Sequence, residues 1–329
     1  MRPFDQLPDV ERIERYTRLA RKALDGYGLG DAELTWQPET KDSVFRVSKS
    51  DEEGSRTYAL RIGHTERSVD QLHREIGWLT ALSRDTELAV PEPVLAMDGE
   101  LVRRVGIAGV PGFRSCVLLR WVRGQPLDAD PEPGGLRRAG AFVGELHRHG
   151  AGFRWPDELA APRRELINVA DDISRVALAR HLDATGVAAF EAGIEQVRAA
   201  LAGLGEGTDV AGILHGDLEL RAIRVRANRI GGVGFDRCGW GYFAADVARL
   251  FVGLRGRSEA EALRAAFLDG YREVRPIADD VIARLPAFDA VRAIDEISRV
   301  LALDHDLLPV DPRNLLERPL TVLKRFAEI

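Results

Sequence analysis

The sequence predicts an α+β chain in two parts: a small strand-rich part with one long helix, residues 1–123, and a larger, mostly helical part, residues 124–329. Three observations carry this. Short runs rich in Val, Phe, Tyr and Ile fill the first third, as strands do. The segment RGQPLDADPEPGG then forms a proline- and acid-rich connection. Beyond it apolar residues recur at three- and four-residue steps, the helical period, broken only by ILHGDLELRAIRVRANRIGGVGFD. With strands and helices segregated in this way, the site is expected in the cleft between two lobes.

Taken in order, residues 8–26 place Ile13, Tyr16, Leu19 and Leu24 at roughly helical spacing. Ala32 to Gln37, Ser43 to Val47 and Thr57 to Ile62 follow as antiparallel strands, with a turn-forming stretch from Ser48 to Ser55. Ser68 is placed as an N-cap, and Val69, Leu72, Ile76, Leu79 and Leu82 form one apolar stripe on a helix ending near Arg84. VPEPVLAMDGELVRRV reads as an extended entry and then a hairpin turning at Asp98-Gly99. Cys116 to Val122, a continuous apolar run broken only by Arg120, reads as a buried strand. Leu136, Ala139, Val143 and Leu146 give the next helix its buried face, with Arg148 and Gly150 expected at its C-terminus. Residues 157–205 read as helices that would build an acceptor site, two short strand-like pieces follow His215, and helices resume at Ala244. The GxxG at 231–234 has no Walker lysine and reads as a turn.

Composition narrows the function. In 329 residues, 45% are hydrophobic and 30% charged, the proportions of a folded soluble protein. Two cysteines, Cys116 and Cys238, cannot build a disulfide framework, and the polar opening lacks a secretory pattern, so a cytoplasmic location is expected. No run approaches the ~18 apolar residues of a membrane span, and a net charge of −6 argues against non-specific nucleic-acid binding. The expected partner is a small molecule or peptide, with neither nucleic acid nor membrane. Of 46 basic residues only Lys22, Lys41, Lys49 and Lys324 are lysine, so nearly every cation is a guanidinium, which cannot act as a base.

The informative block holds HGDL at 215–218, VGFDRCGWG at 233–241 and AADVARL at 244–250. It resembles the aminoglycoside phosphotransferase family in its broad sense, the kinase-like enzymes that include homoserine-kinase-like and methylthioribose-kinase-like proteins. The resemblance implies a bilobal protein-kinase-like fold. It makes Asp217 the base that receives the acceptor hydroxyl's proton, His215 a residue packing the loop, and Asp246 an acceptor of the loop's backbone hydrogen bonds. It puts Arg61 in the place of the phosphate-contacting cation, Glu75 in that of its helix carboxylate, and CVLLRWVRG in that of the hinge, with Leu119 and Trp121 beside a nucleotide. ATP and Mg2+ are the implied cofactors, because phosphoryl transfer rests on positioning and on charge neutralisation by hard, oxygen-liganded cations.

The chain departs from that pattern at its metal ligands. Ala222 stands where the family has a metal-binding Asn, and Gly234 where it has the main metal Asp; neither has a side-chain donor. Arg221 and Arg237 add cations that oppose a metal ion. One carboxylate, Asp236, lies two strand residues on and is the candidate for a rebuilt metal site, aided by Glu219. The expectation is therefore a degenerate member: a pseudokinase that binds a peptide, metabolite or partner protein. A lyase of a modified-peptide natural-product pathway is the partner the resemblance suggests. The alternatives are an active ATP-dependent phosphotransferase on a small-molecule or peptide hydroxyl, using Asp236, and metal-free acid/base chemistry with Asp217 and Glu219.

Overall fold

The computed structural model describes residues 4, 7–38, 42–51, 54–63, 68–159, 175–301 and 312–327. The chain forms two compact units, one of Met1–Gln125, Trp155–Leu159 and Arg224–Asp236, the other of Pro126–Arg154, Ala160–Ile223 and Arg237–Ile329.

The first unit begins with α1 (Asp9–Asp25), β1 (Glu33–Gln37), β2 (Ser43–Asp51), β3 (Gly54–Ile62) and α2 (Val69–Asp85), followed by β4 (Arg103–Val105) and β5 (Arg114–Arg120). The strands make one antiparallel sheet in the order β1-β2-β3-β5-β4. Alternation sets its faces. Phe45, Val47, Leu60, Ile62, Cys116 and Leu118 point into a core shared with Leu19, Ala20, Ala23 and Leu24 of α1, while Arg61, one residue out of phase, belongs to the other face. The expected hairpin at Asp98-Gly99 is a tight turn without flanking strands: Ala96 and Glu100 exchange one backbone bond of 2.9 Å, and only β4 continues into the sheet. Upstream, Pro93 lies opposite Leu119 of β5 in a single antiparallel bridge, where the Val94 amide donates to the Leu118 carbonyl at 2.9 Å and the Arg120 amide to the Glu92 carbonyl at 2.8 Å.

A two-residue strand β6 (Gln125–Pro126) leads to α3 (Pro133–Gly152), α4 (Arg175–His181) and α5 (Ala184–Leu201). Of the region expected to build an acceptor site, residues 160–174 lie outside the described residues. Gly150 does not end α3, as the sequence suggested. It sits inside the helix, where a Cβ would fall 1.9 Å from the carbonyl oxygen of Ile213, so its requirement is close packing of α3 on the strand β7 (Ala211–Leu214).

After β7 come β8 (Ile223–Arg226), β9 (Arg229–Gly232) and β10 (Gly239–Tyr242), then α6 (Phe243–Val252), α7 (Ala260–Val274), α8 (Asp279–Ala283), α9 (Leu285–Leu301) and α10 (Pro312–Ala327). β10 pairs antiparallel with β7, and β6, β8 and β9 form a three-stranded sheet in that order. Nothing in the sequence signals that residues 224–236 join the first unit. They do so because the amide of Gly232 donates to the Ala89 carbonyl at 3.0 Å and Phe235 packs edge-on against Trp78 at 5.7 Å. Among the described residues no helix is long and apolar enough to cross a membrane.

Candidate functional site

In the first unit, β3 carries Arg61 and α2 carries Glu75. Their side chains form a two-pronged pair, Nη1 to Oε1 and Nη2 to Oε2, both at 2.7 Å. Arg61 is 8% exposed and Glu75 1%. Asp42 adds a third contact, at 3.4 Å from the Arg61 Nε. Burial alone would lower the guanidinium's pKa, yet it is raised, because the charge and hydrogen bonds of Glu75, then Asp42 and Asp236, outweigh desolvation. The charge of Asp236 thus acts on this cation, and its backbone carbonyl accepts from Gln71 Nε2 at 3.1 Å. Leu119 is buried opposite Ala59 of β3. The Trp121 amide donates to the Thr57 carbonyl at 3.1 Å, and its ring lies 5.5 Å from the Arg46 guanidinium.

In the second unit, the loop 215–218 leaves β7 and is held from beneath by Asp246 of α6. The Asp246 carboxylate accepts from the His215 amide at 2.8 Å and the Gly216 amide at 2.9 Å. His147 of α3 lies between that carboxylate, 3.1 Å from its Nε2, and the Tyr271 hydroxyl, 2.9 Å from its Nδ1. The neutral ring that donates from Nε2 and accepts at Nδ1 satisfies both partners. Burial lowers the His147 pKa, overcoming the opposing pull of Asp246. Gly216 itself adopts φ +83°, and a Cβ there would fall 2.1 Å from the Arg237 carbonyl oxygen, so no other residue fits the turn. His215 is fully buried, and its Nδ1 accepts from the Asp217 amide at 3.4 Å.

This scaffold presents Asp217 to arginines. Its Oδ1 accepts from Arg249 Nε at 2.9 Å, with Arg292 Nη1 3.7 Å away, and Arg237 Nε is 4.0 Å from Oδ2. Glu219 pairs with Arg249 and Arg221. Asp295 pairs with Arg299 at 3.0 Å and Arg237 at 3.9 Å. So many guanidiniums repel one another. The Arg249 pKa is lowered by burial and then by the charge of Arg292, against the pull of Asp217; that of Arg299 is lowered by burial, with Arg237 and Arg292 adding to it against Asp295. The sequence singled out Asp217, Glu219, Arg221 and Arg237 but not Arg249 or Arg292. Arg249 carries one signal, its place one helical turn after Asp246; Arg292 lies far along the chain on α9 and carries none.

The metal ion implied by the sequence resemblance has few donors to meet. Ala222 offers a buried methyl group, and Gly234, at φ +86°, offers no side chain. Asp217 accepts from Arg249 in the second unit, and the charge of Asp236 is felt by Arg61 in the first. Among the described residues no group of three or more His, Cys, Asp and Glu is placed to hold a metal ion. A magnesium ion needs hard oxygen donors, and the residues present do not fit one.

Known structures share this fold. An amicoumacin kinase solved with AMP-PNP, Ca2+ and Ami superposes with a TM-score of 0.73 at 21% identity, over 97% of this chain and 96% of that one. A microcompartment-associated aminopropanol kinase gives 0.74 at 21%, covering 94% and 95%. A choline/ethanolamine kinase family protein from Mesorhizobium loti gives 0.67 at 18%, covering 95% of each. An uncharacterized protein of Deinococcus radiodurans is 29% identical over 295 residues, 87% of this chain and 82% of that protein. The model of the phosphotransferase enzyme family matches residues 37–280. That span takes in the Arg61–Glu75 pair of one unit and the Asp217 loop of the other, and the chain belongs to this family.

Proposed function

We propose that this protein is a pseudokinase, a kinase-fold protein kept for binding a small molecule and not for phosphoryl transfer. The observation that carries the reading is the state of Asp217. A general base must reach the proton it removes, and here Arg249 occupies one carboxylate oxygen at 2.9 Å while Arg292 and Arg237 crowd the same group. The losses at Ala222 and Gly234 point the same way. The named substrates of two similar structures, aminopropanol and choline, are cations, whereas guanidiniums surround Asp217 here, so the ligand is expected to differ in charge from theirs.

Calorimetry with Mg-ATP tests the reading. The native protein is expected to bind it weakly, with little benefit from magnesium, and to show no ATP turnover. Ala222→Asn with Gly234→Asp restores both donors and is expected to improve Mg-ATP binding beyond either single change. Asp is one of the residues that tolerates a positive φ, so Gly234→Asp is compatible with the local backbone. Magnesium-dependent turnover by the native protein that vanishes in Asp236→Ala would overturn the proposal in favour of an active kinase with a metal site rebuilt at Asp236.

A further inference from the structure

The second unit contains a cavity of about 420 Å3 walled by the end of α6, by α9 and by α10, within the size range of metabolite pockets. Along α10, Asn314, Arg318, Thr321 and Arg325 line it at steps of four, three and four residues, which places them on one helix face. The buried residues of the same helix, Leu316, Leu320 and Leu323, form its other face. From α9 come Asp289, Arg292 and Glu296, and Arg255 follows α6.

The wall has four guanidiniums and three carboxylates, Asp289, Glu296 and Glu317. Arg255 is paired with Asp289 at 2.8 Å. Among the described residues Arg292 is not held by a hydrogen bond: its two ion-pair contacts, to Asp217 and Glu296, are both 3.7 Å. Arg318 and Arg325 make no hydrogen bond or ion pair among the described residues. Among the described residues, three guanidiniums with donors to spare therefore line one open-sided cavity, against two carboxylates, Glu296 and Glu317, that accept no side-chain hydrogen bond. A guanidinium's fork matches the paired oxygens of a carboxylate or phosphate.

We propose that this cavity binds a small organic anion bearing carboxylate or phosphate groups, held by Arg292, Arg318 and Arg325. Arg292 ties the cavity to the Asp217 loop, since the same side chain serves both. An anion that engages Arg292 competes with Asp217 for it. The proposal is independent of whether the protein transfers phosphate, and no nucleotide enters its test.

Titration calorimetry on the full chain, without nucleotide or metal, compares citrate, inorganic phosphate and fructose 1,6-bisphosphate against sodium chloride at matched ionic strength. Saturable binding of at least one probe is expected, weakened tenfold or more in R318Q/R325Q and in R292Q and unchanged in R180Q, an exposed arginine on α4. Because Arg318 and Arg325 are exposed and have no partner among the described residues, the double variant keeps the described contacts of the fold. Binding of citrate alone would identify a carboxylate ligand, and binding of the two phosphates alone a phosphorylated one. Absence of saturable binding by all three probes, or equal affinity in R318Q/R325Q, would overturn the proposal.

Discussion

Replacing Glu75 by Gln is the sharpest perturbation of the first unit. It leaves the shape nearly intact but removes the charge that meets both terminal nitrogens of Arg61 at 2.7 Å. Breaking a buried pair by removing one partner costs about 3–5 kcal/mol, because the surviving charge stays buried and uncompensated. Asp42, 3.4 Å from the Arg61 Nε, and the field of Asp236 remain, so the lower end, about 3 kcal/mol, is expected. Removing both charges with Arg61→Met and Glu75→Leu should restore stability to within about 1 kcal/mol of the native protein, since apolar replacement of a buried pair is often neutral or better. Urea unfolding followed by tryptophan fluorescence measures this well, because Trp36, Trp78, Trp121 and Trp155 all belong to the first unit. A Glu75→Gln cost below about 1 kcal/mol, or a double variant no better than the single ones, would refute the argument that desolvated charge dominates here.

Three further outcomes concern the loop scaffold. Asp246→Asn leaves one acceptor oxygen where two serve the amides of His215 and Gly216; a loss of about 2–4 kcal/mol and faster hydrogen exchange at both amides are expected. His147, whose pKa is lowered by burial, is neutral in the fold, so on acidification the unfolded chain gains a proton first. Its contribution is full above the ordinary value of about 6.5 and is lost as the pH falls below it, by up to about 1.4 kcal/mol per pH unit. Melting temperatures between pH 7.5 and 5 should fall more steeply in the native protein than in H147Q. Gly216→Ala combines a positive φ with a Cβ 2.1 Å from a carbonyl oxygen, and should disorder the loop, seen as lost exchange protection at residues 215–217.

Much of this was legible in the sequence because local rules decide it. The apolar spacing from Val69 to Leu82 specifies α2, and the alternation in β3 puts Arg61 opposite the face that carries Leu60 and Ile62. What escaped was set by non-local packing. Nothing in HRHG shows that His147 reaches Tyr271 and Asp246, more than ninety residues onward. Gly150 looks like a helix terminator until β7 is seen to approach it. Arg249 and Arg292 come to Asp217 from α6 and α9, and in a chain with 46 basic residues, four of them lysine, neither stands out before the fold brings it to that carboxylate. The motif positions that had lost their donors, 222 and 234, could be read directly, because an absent side chain is absent in any fold.

The choice of arginine around Asp217 also determines what can disturb that loop. A guanidinium keeps its proton at every pH a folded protein survives. Had lysines stood at positions 237, 249 and 292, alkaline conditions would progressively discharge them and leave the Asp217 carboxylate to solvent. With arginines that route is closed, and raising the pH changes nothing there. Competing anions are another matter: Asp217 is one-fifth exposed and Arg249 about one-tenth, so a solute that outbids the carboxylate must reach the more open Arg237 and Arg292 first. The loop is therefore sensitive to the ionic composition of its surroundings and indifferent to alkalinity.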